Sequence, residues 1–81
     1  MRIHVKFFAI IKDKAGTPET TLDLPEGATV ATAVEALSAK YPLLKDSLSR
    51  CAFAVNMSYA KFGEMMHDSD ELAVIPPVSG G

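Results

Sequence analysis

Apolar and polar positions alternate at the start of the chain, with Ile3, Val5, Phe7, Ala9 and Ile11 set against His4, Lys6, Phe8 and Ile10. A period of two marks a half-buried β-strand, so the pattern predicts one strand running through Ile11. Residues 12–18, which include Gly16 and Pro18, predict a loop. A second strand is expected over residues 19–24, with Thr20, Leu22 and Leu24 on one face, as a hairpin partner of the first. Pro25-Glu26-Gly27 stops it. The period then lengthens. Val30, Val34, Leu37 and Tyr41 fall at i, i+4, i+7 and i+11, one stripe of an α-helix. Thr29 stands where an N-cap would accept a backbone N–H, and Pro42 marks the far end.

Beyond the helix, Leu44 and Leu48 suggest a helical turn. Residues 51–56 predict a strand with Phe53 and Val55 facing the core, followed by a turn at Asn56-Met57-Ser58 and a short return strand over residues 59–62. A polar turn over residues 67–70 leads to a last strand at 72–75, stopped by Pro76-Pro77, which cannot donate to a ladder. The order β-β-α-β-(β)-β, with one long helix, is most simply satisfied when that helix packs on one face of a mixed sheet. The expected class is therefore α+β with the ubiquitin-like β-grasp layout. Residues 1–81 form one domain, and residues 76–81 a flexible tail that cannot pack.

Composition narrows the possible functions. At 81 residues, 48% hydrophobic and 22% charged, the chain has the proportions of a small folded unit, not of a disordered or fibrous one. Eight basic and ten acidic residues leave a net charge of −2, without the basic footprint of a nucleic-acid binder. The single Cys51 excludes an internal disulfide, a multi-cysteine zinc site and an iron–sulfur cluster. Its use suits a reducing cytoplasm. The apolar run from Phe7 to Ile11 is too short for a signal core, and no stretch approaches the length of a membrane helix. A cytoplasmic protein with neither nucleic acid nor membrane as partner is expected.

No catalytic template fits. His4 and His67 fall on outer or turn positions and read as solvated, while Cys51 lacks a local base and reads as an inert thiol. Asp68, Asp70 and Glu71 lack the glycine and far-end ligand of a calcium loop and read as a charged turn. The end of the chain is different. Gly80-Gly81 follows a stiff Pro-Pro pair, and a diglycine, having no Cβ, enters a slot too narrow for other residues. Phe8 lies outward on the first strand, and Ile75 is turned outward on the last. If those strands are neighbours, the pair forms an exposed apolar patch at the root of the tail, the kind of surface that marks a partner.

Together, Val5-Lys6-Phe7-Phe8-Ala9, Gly16, Ala54-Val55-Asn56, Asp70-Glu71 and the ending Pro76-Pro77-Val78-Ser79-Gly80-Gly81 resemble the small subunits of molybdopterin synthase, over the whole chain. The thiazole sulfur carrier also ends in Gly-Gly but is usually shorter and lacks this opening. The resemblance implies a sulfur carrier in molybdenum cofactor biosynthesis, not catalytic alone. Its Gly81 carboxylate is adenylated by a partner that uses ATP, then converted to a thiocarboxylate with sulfur from a donor such as a cysteine desulfurase or a rhodanese-like protein. The tail Pro76, Pro77, Val78, Ser79 and Gly80 delivers it into the large synthase subunit, where it attacks cyclic pyranopterin monophosphate. A heterotetramer with two of each subunit is implied, with no cofactor or metal held by this chain. By position Phe8, Tyr59 and Ile75 match the family's partner-contact surface. One departure is Ser69, where the family usually has glycine; a serine is strained at positive φ. The alternatives are a related carrier for thiamin, cysteine or tRNA thiolation, or a ubiquitin-like modifier conjugated through Gly81.

Overall fold

The alternation at Ile3, Val5 and Phe7 forms strand β1, Arg2–Phe7, and all three side chains are buried while their neighbours face out. The computed structural model describes residues 1–77. The chain leaves the sheet at Phe8, so the strand ends four residues short of the Ile11 that the alternation predicts. Ala9–Ala15 is a helix, α1, where the sequence pattern predicts first strand and then loop. The reason is visible in the side chains. A strand and a helix both turn Ile11 inward and Ile10 outward, but the helix folds Ile11 back over the core with Leu44 and Leu48, where it is buried. Gly16 closes α1 in the left-handed region at φ 77°, its N–H donating to the Lys12 carbonyl at 3.0 Å. That is the usual glycine helix stop, where the sequence pattern predicts only a loop glycine.

Strand β2, Glu19–Asp23, pairs antiparallel with β1. Helix α2, Val30–Lys40, begins at Thr29 as predicted. The Thr29 and Thr32 side chains accept each other's backbone N–H groups, a reciprocal capping box with threonine in place of the usual glutamate. Its next N–H donors are met from outside the helix: Val30 donates to the Glu64 carbonyl at 2.9 Å and Ala31 to the Phe62 carbonyl at 3.0 Å. Residues 62–64 are thereby committed to capping α2, while the Ala60 N–H still donates to the Phe53 carbonyl of the strand before it. The return strand is cut to β4, Ser58–Tyr59, instead of reaching residue 62. The buried stripe of α2 runs through Val30, Ala33 and Leu37, with Val34 and Tyr41 flanking it half-buried. A 3-10 turn at Pro42–Leu44 and a short helix α3, Lys45–Leu48, bury the predicted Leu44 and Leu48.

Strands β3, Ala52–Val55, and β5, Glu71–Ile75, complete a five-stranded sheet in the order β2-β1-β5-β3-β4. The central pair β1–β5 is parallel and every other pairing antiparallel. This is the ubiquitin-like β-grasp, with α2 as main helix and α1 and α3 as smaller additions. One face of the sheet, from Ile3 and Val5 through Phe53 to Leu72 and Val74, packs on α2. Among the described residues no helix is long and apolar enough to cross a membrane.

Candidate partner surface at the root of the tail

The other face of the sheet carries the candidate site. Because β5 is inserted between β1 and β3, the outward residues Lys6, Ala73, Ala54 and Tyr59 stand in one row across four strands. Two alanines in the middle of that row make a low floor. Phe8, Met57, Tyr59 and Ile75 stand around it, enclosing an open apolar basin of about 710 Å³. Phe8 is 46% exposed, Tyr59 78% and Met57 92%, so most of this aromatic and thioether surface faces water. Lys6 and Glu71 close one rim as an ion pair, Nζ to Oε2 at 3.5 Å. Aromatic and methionine side chains around a small-residue floor, with charge only at the rim, have the make-up of an interface core without its partner.

Phe8, Tyr59 and Ile75, predicted for this surface from the sequence, are thus brought together. Met57, Ala54 and Ala73 were missed. Met57 reaches the basin from the β3–β4 turn, where Asn56 and Met57 take φ 49° and 72°. The outward alanines on two adjacent strands were a signal available only once their register was known.

The far end of the sheet explains two further motifs as one device. The Asn56 side chain donates to Asp70 Oδ1 at 2.9 Å and accepts the Glu71 N–H at 3.0 Å. Asp70 also accepts the His67 N–H, Asp68 accepts the Arg2 N–H at 2.8 Å, and the Ser69 N–H donates to the Arg2 carbonyl. The acidic turn is therefore a clamp joining the start of β5 to β1 and to the β3–β4 turn. The backbone hydrogen bond from Arg2 holds the Asp68 carboxyl below the usual carboxylate range. The Arg2 guanidinium at 3.0 Å does the same for Asp23, through a side-chain hydrogen bond first and charge second. Ser69 does sit at positive φ, 69°.

His4 and His67 are exposed, and the nearest acid to His67 Nδ1 is Asp70 at 3.9 Å. Cys51 is half-buried; its thiol donates to the Ser47 carbonyl at 3.3 Å, and burial pushes its pKa up, away from a reactive thiolate. At the other end of β5 the chain turns through Pro76 and Pro77 against α1 and α3. Val78, Ser79, Gly80 and Gly81, which carry the rest of the expected tail, lie outside the described residues.

The ThiS family model matches residues 5–81. The molybdopterin synthase sulfur carrier subunit of Arabidopsis thaliana is 36% identical over 81 residues, spanning all of this chain and 84% of that protein. Among solved structures, SAMP1 from Haloferax volcanii superposes with a TM-score of 0.93 at 31% identity, each chain covered completely. A chain in the complex of subunits 1 and 2 of the molybdopterin-converting factor from Helicobacter pylori shares the fold, with a TM-score of 0.72 at 23% identity over all of both chains.

Proposed function

The chain belongs to the ThiS family, and we propose that within it the protein is the sulfur carrier subunit of molybdopterin synthase. One observation carries this: Ile75 both walls the apolar basin and is the last strand residue before Pro76-Pro77. A partner covering the basin meets the chain where the tail leaves the body, which supports delivery of the tail into that partner. The likeness to named sulfur carrier subunits over the full chain supports the same conclusion. So does the occurrence of this fold in a complex of subunits 1 and 2, which supports a large synthase subunit as the partner.

In this role Gly81 carries the chemistry. A carboxylate is a poor electrophile, so a partner enzyme that uses ATP converts it to an acyl-adenylate. The outer sulfur of a persulfide donor displaces AMP to give an acyl disulfide. A second thiol of the donor then attacks the S–S bond, becoming a disulfide and leaving a thiocarboxylate on Gly81. The thiocarboxylate is ionised at neutral pH and, like a thiolate, is a sulfur nucleophile. It attacks a side-chain carbon of cyclic pyranopterin monophosphate in the large subunit, displacing an oxygen substituent and joining carrier to pterin as a thioester. Water then cleaves the Gly81 acyl–sulfur bond, returning Gly81 to a carboxylate and leaving the sulfur on the pterin. Two such transfers supply the sulfurs of the dithiolene. Acid–base groups belong to the large subunit; this chain supplies a rigid body, a docking face and a carried group.

The test is to thiocarboxylate the chain chemically, combine it with the large subunit and the pterin precursor, and measure molybdopterin. The wild type should give product. Deleting Gly81, or adding one residue after it, should abolish product while leaving the melting temperature unchanged. One residue moves the reacting carbon by about 3.3–3.6 Å, and displacements near 1 Å already cost about a hundredfold in rate. Near-normal product from the shifted chains would overturn sulfur delivery through Gly81. Gly81 found joined to lysine side chains in cells would point instead to a protein modifier.

A further inference from the structure

A second surface touches the tail from the opposite side. Between α1 and α3 lies a groove of about 170 Å³ lined by Ile10, Lys14, Ser47 and Arg50, with Pro76 and Pro77 along its edge and Ile11 at its base. Ile10 is 53% exposed there, the one large apolar side chain of α1 left out of the core. Lys14 is held in place, its Nζ donating to Ser47 Oγ at 2.7 Å. No carboxylate lines the groove, and among the described residues neither Lys14 nor Arg50 has an acidic partner within ion-pair distance. Asp13 and Asp46 belong to the same two helices but are not part of its lining.

Chain length makes contact at this groove hard to avoid. Four residues lead from Pro77 to Gly81, and fully extended they span about 13–14 Å. A site that receives the Gly81 carbonyl therefore lies within that distance of Pro77, and the mouth of its channel presses on whatever surrounds Pro77. On one side that is the apolar basin. On the other it is the Lys14–Arg50 groove. We propose that the groove docks an acidic segment from the channel rim of the large synthase subunit, with carboxylates on Lys14 and Arg50 and an apolar side chain against Ile10. This rests on the sulfur-carrier role above and adds to it a charge-selective contact. Two cations that line the groove and, among the described residues, form no ion pair favour a rim bearing carboxylates and oppose one bearing lysine or arginine. Arg50 can grip a carboxylate with two parallel N–H bonds, whereas Lys14 acts as a fixed point charge.

The experiment compares wild type with the double variant Lys14→Glu, Arg50→Glu, reading association with the large subunit at about 0.1 M and about 1 M salt, where the screening length falls from about 10 Å to about 3 Å. Charge reversal should slow association about tenfold or more at the lower salt, and the gap should close at the higher. The double variant Lys14→Arg, Arg50→Lys, which keeps both charges, should associate at nearly the wild-type rate at both salts, any loss of the Arg50 grip appearing in dissociation. A melting curve checks folding; should the reversed variant not fold, Lys14→Met, Arg50→Met should show a smaller loss with the same salt dependence. Undiminished association of the charge variants, or a loss equal at both salts, would overturn the groove while leaving the sulfur-carrier role standing. A wild type that does not bind the large subunit at all would overturn both.

Discussion

At Ser69 the backbone adopts φ 69° with a side chain that is exposed and makes only a 3.4 Å contact to Asp68. A non-glycine residue in the left-handed region costs about 1–2 kcal/mol, while a glycine there loses about 0.5–1 kcal/mol through its freer unfolded chain. Relief of strain outweighs the entropy. Ser69→Gly should therefore gain about 0.5 kcal/mol and raise the melting temperature by about 2–4 °C, provided that the clamp bonds around it persist. A fall in melting temperature would mean that the strain is carried elsewhere. The neighbouring Asp68 makes a pH prediction. Its folded pKa lies below the ordinary carboxylate value because it accepts the Arg2 N–H. The stabilisation is thus complete above about pH 4 and is lost as the pH falls through the lower folded value. Asp68→Asn cannot titrate, so the stability gap between wild type and variant should narrow between pH 7 and pH 3. A constant gap across that range would count against a titrating clamp. Asp23, held down by Arg2, contributes to the wild-type acid limb in the same direction.

At the scale of elements, legibility in the sequence followed the range of the forces involved. Thr29 and Pro42 marked the limits of α2 because capping and proline geometry are local. The Val30, Leu37 and Phe53 positions fell into the core because periodicity alone fixes a face. The error at residues 9–11 arose because the alternation continues by coincidence past Phe7, and only the burial of Ile11 beside Leu44 and Leu48 in the core favours helix over strand. Likewise the return strand expected over residues 59–62 holds at Tyr59 and fails at Phe62, whose carbonyl serves the N-terminus of a helix distant in sequence. Local and packing contributions to α2 can be separated by mutation. Thr29→Ala removes one half of the capping box and should cost about 1 kcal/mol. Leu37→Ala, at a fully buried position, should cost about 2–5 kcal/mol through lost transfer energy and a cavity. Denaturant unfolding of both variants checks the ranking; a cap variant as damaging as the core variant would show that the helix is held by its end and not by its face.

Over the whole molecule, the two faces of the sheet have been given different tasks. The inner face, with α2, α1 and α3, closes a core that includes Ile3, Leu37, Leu44 and Leu72, each fully buried. The outer face leaves Phe8, Met57 and Tyr59 in water around an alanine floor. Truncating an outer residue therefore removes little that the fold depends on. An exposed position changes stability by about 0.5 kcal/mol at most, and half-buried Ile75 by somewhat more. Binding should respond differently, because central apolar anchors cost about 2 kcal/mol or more when truncated, about thirtyfold in affinity. Phe8→Ala and Ile75→Ala should each weaken association with the large synthase subunit by about that factor, with melting curves close to the wild type for Phe8→Ala. Tyr59→Ala, at the basin's far wall and farther from the tail, should have the smaller effect of a rim position. Calorimetric titration beside thermal melting reads both quantities on the same samples. If Phe8→Ala and Ile75→Ala bound with wild-type affinity, the basin would be only exposed surface, and docking would have to rest on the tail and its groove.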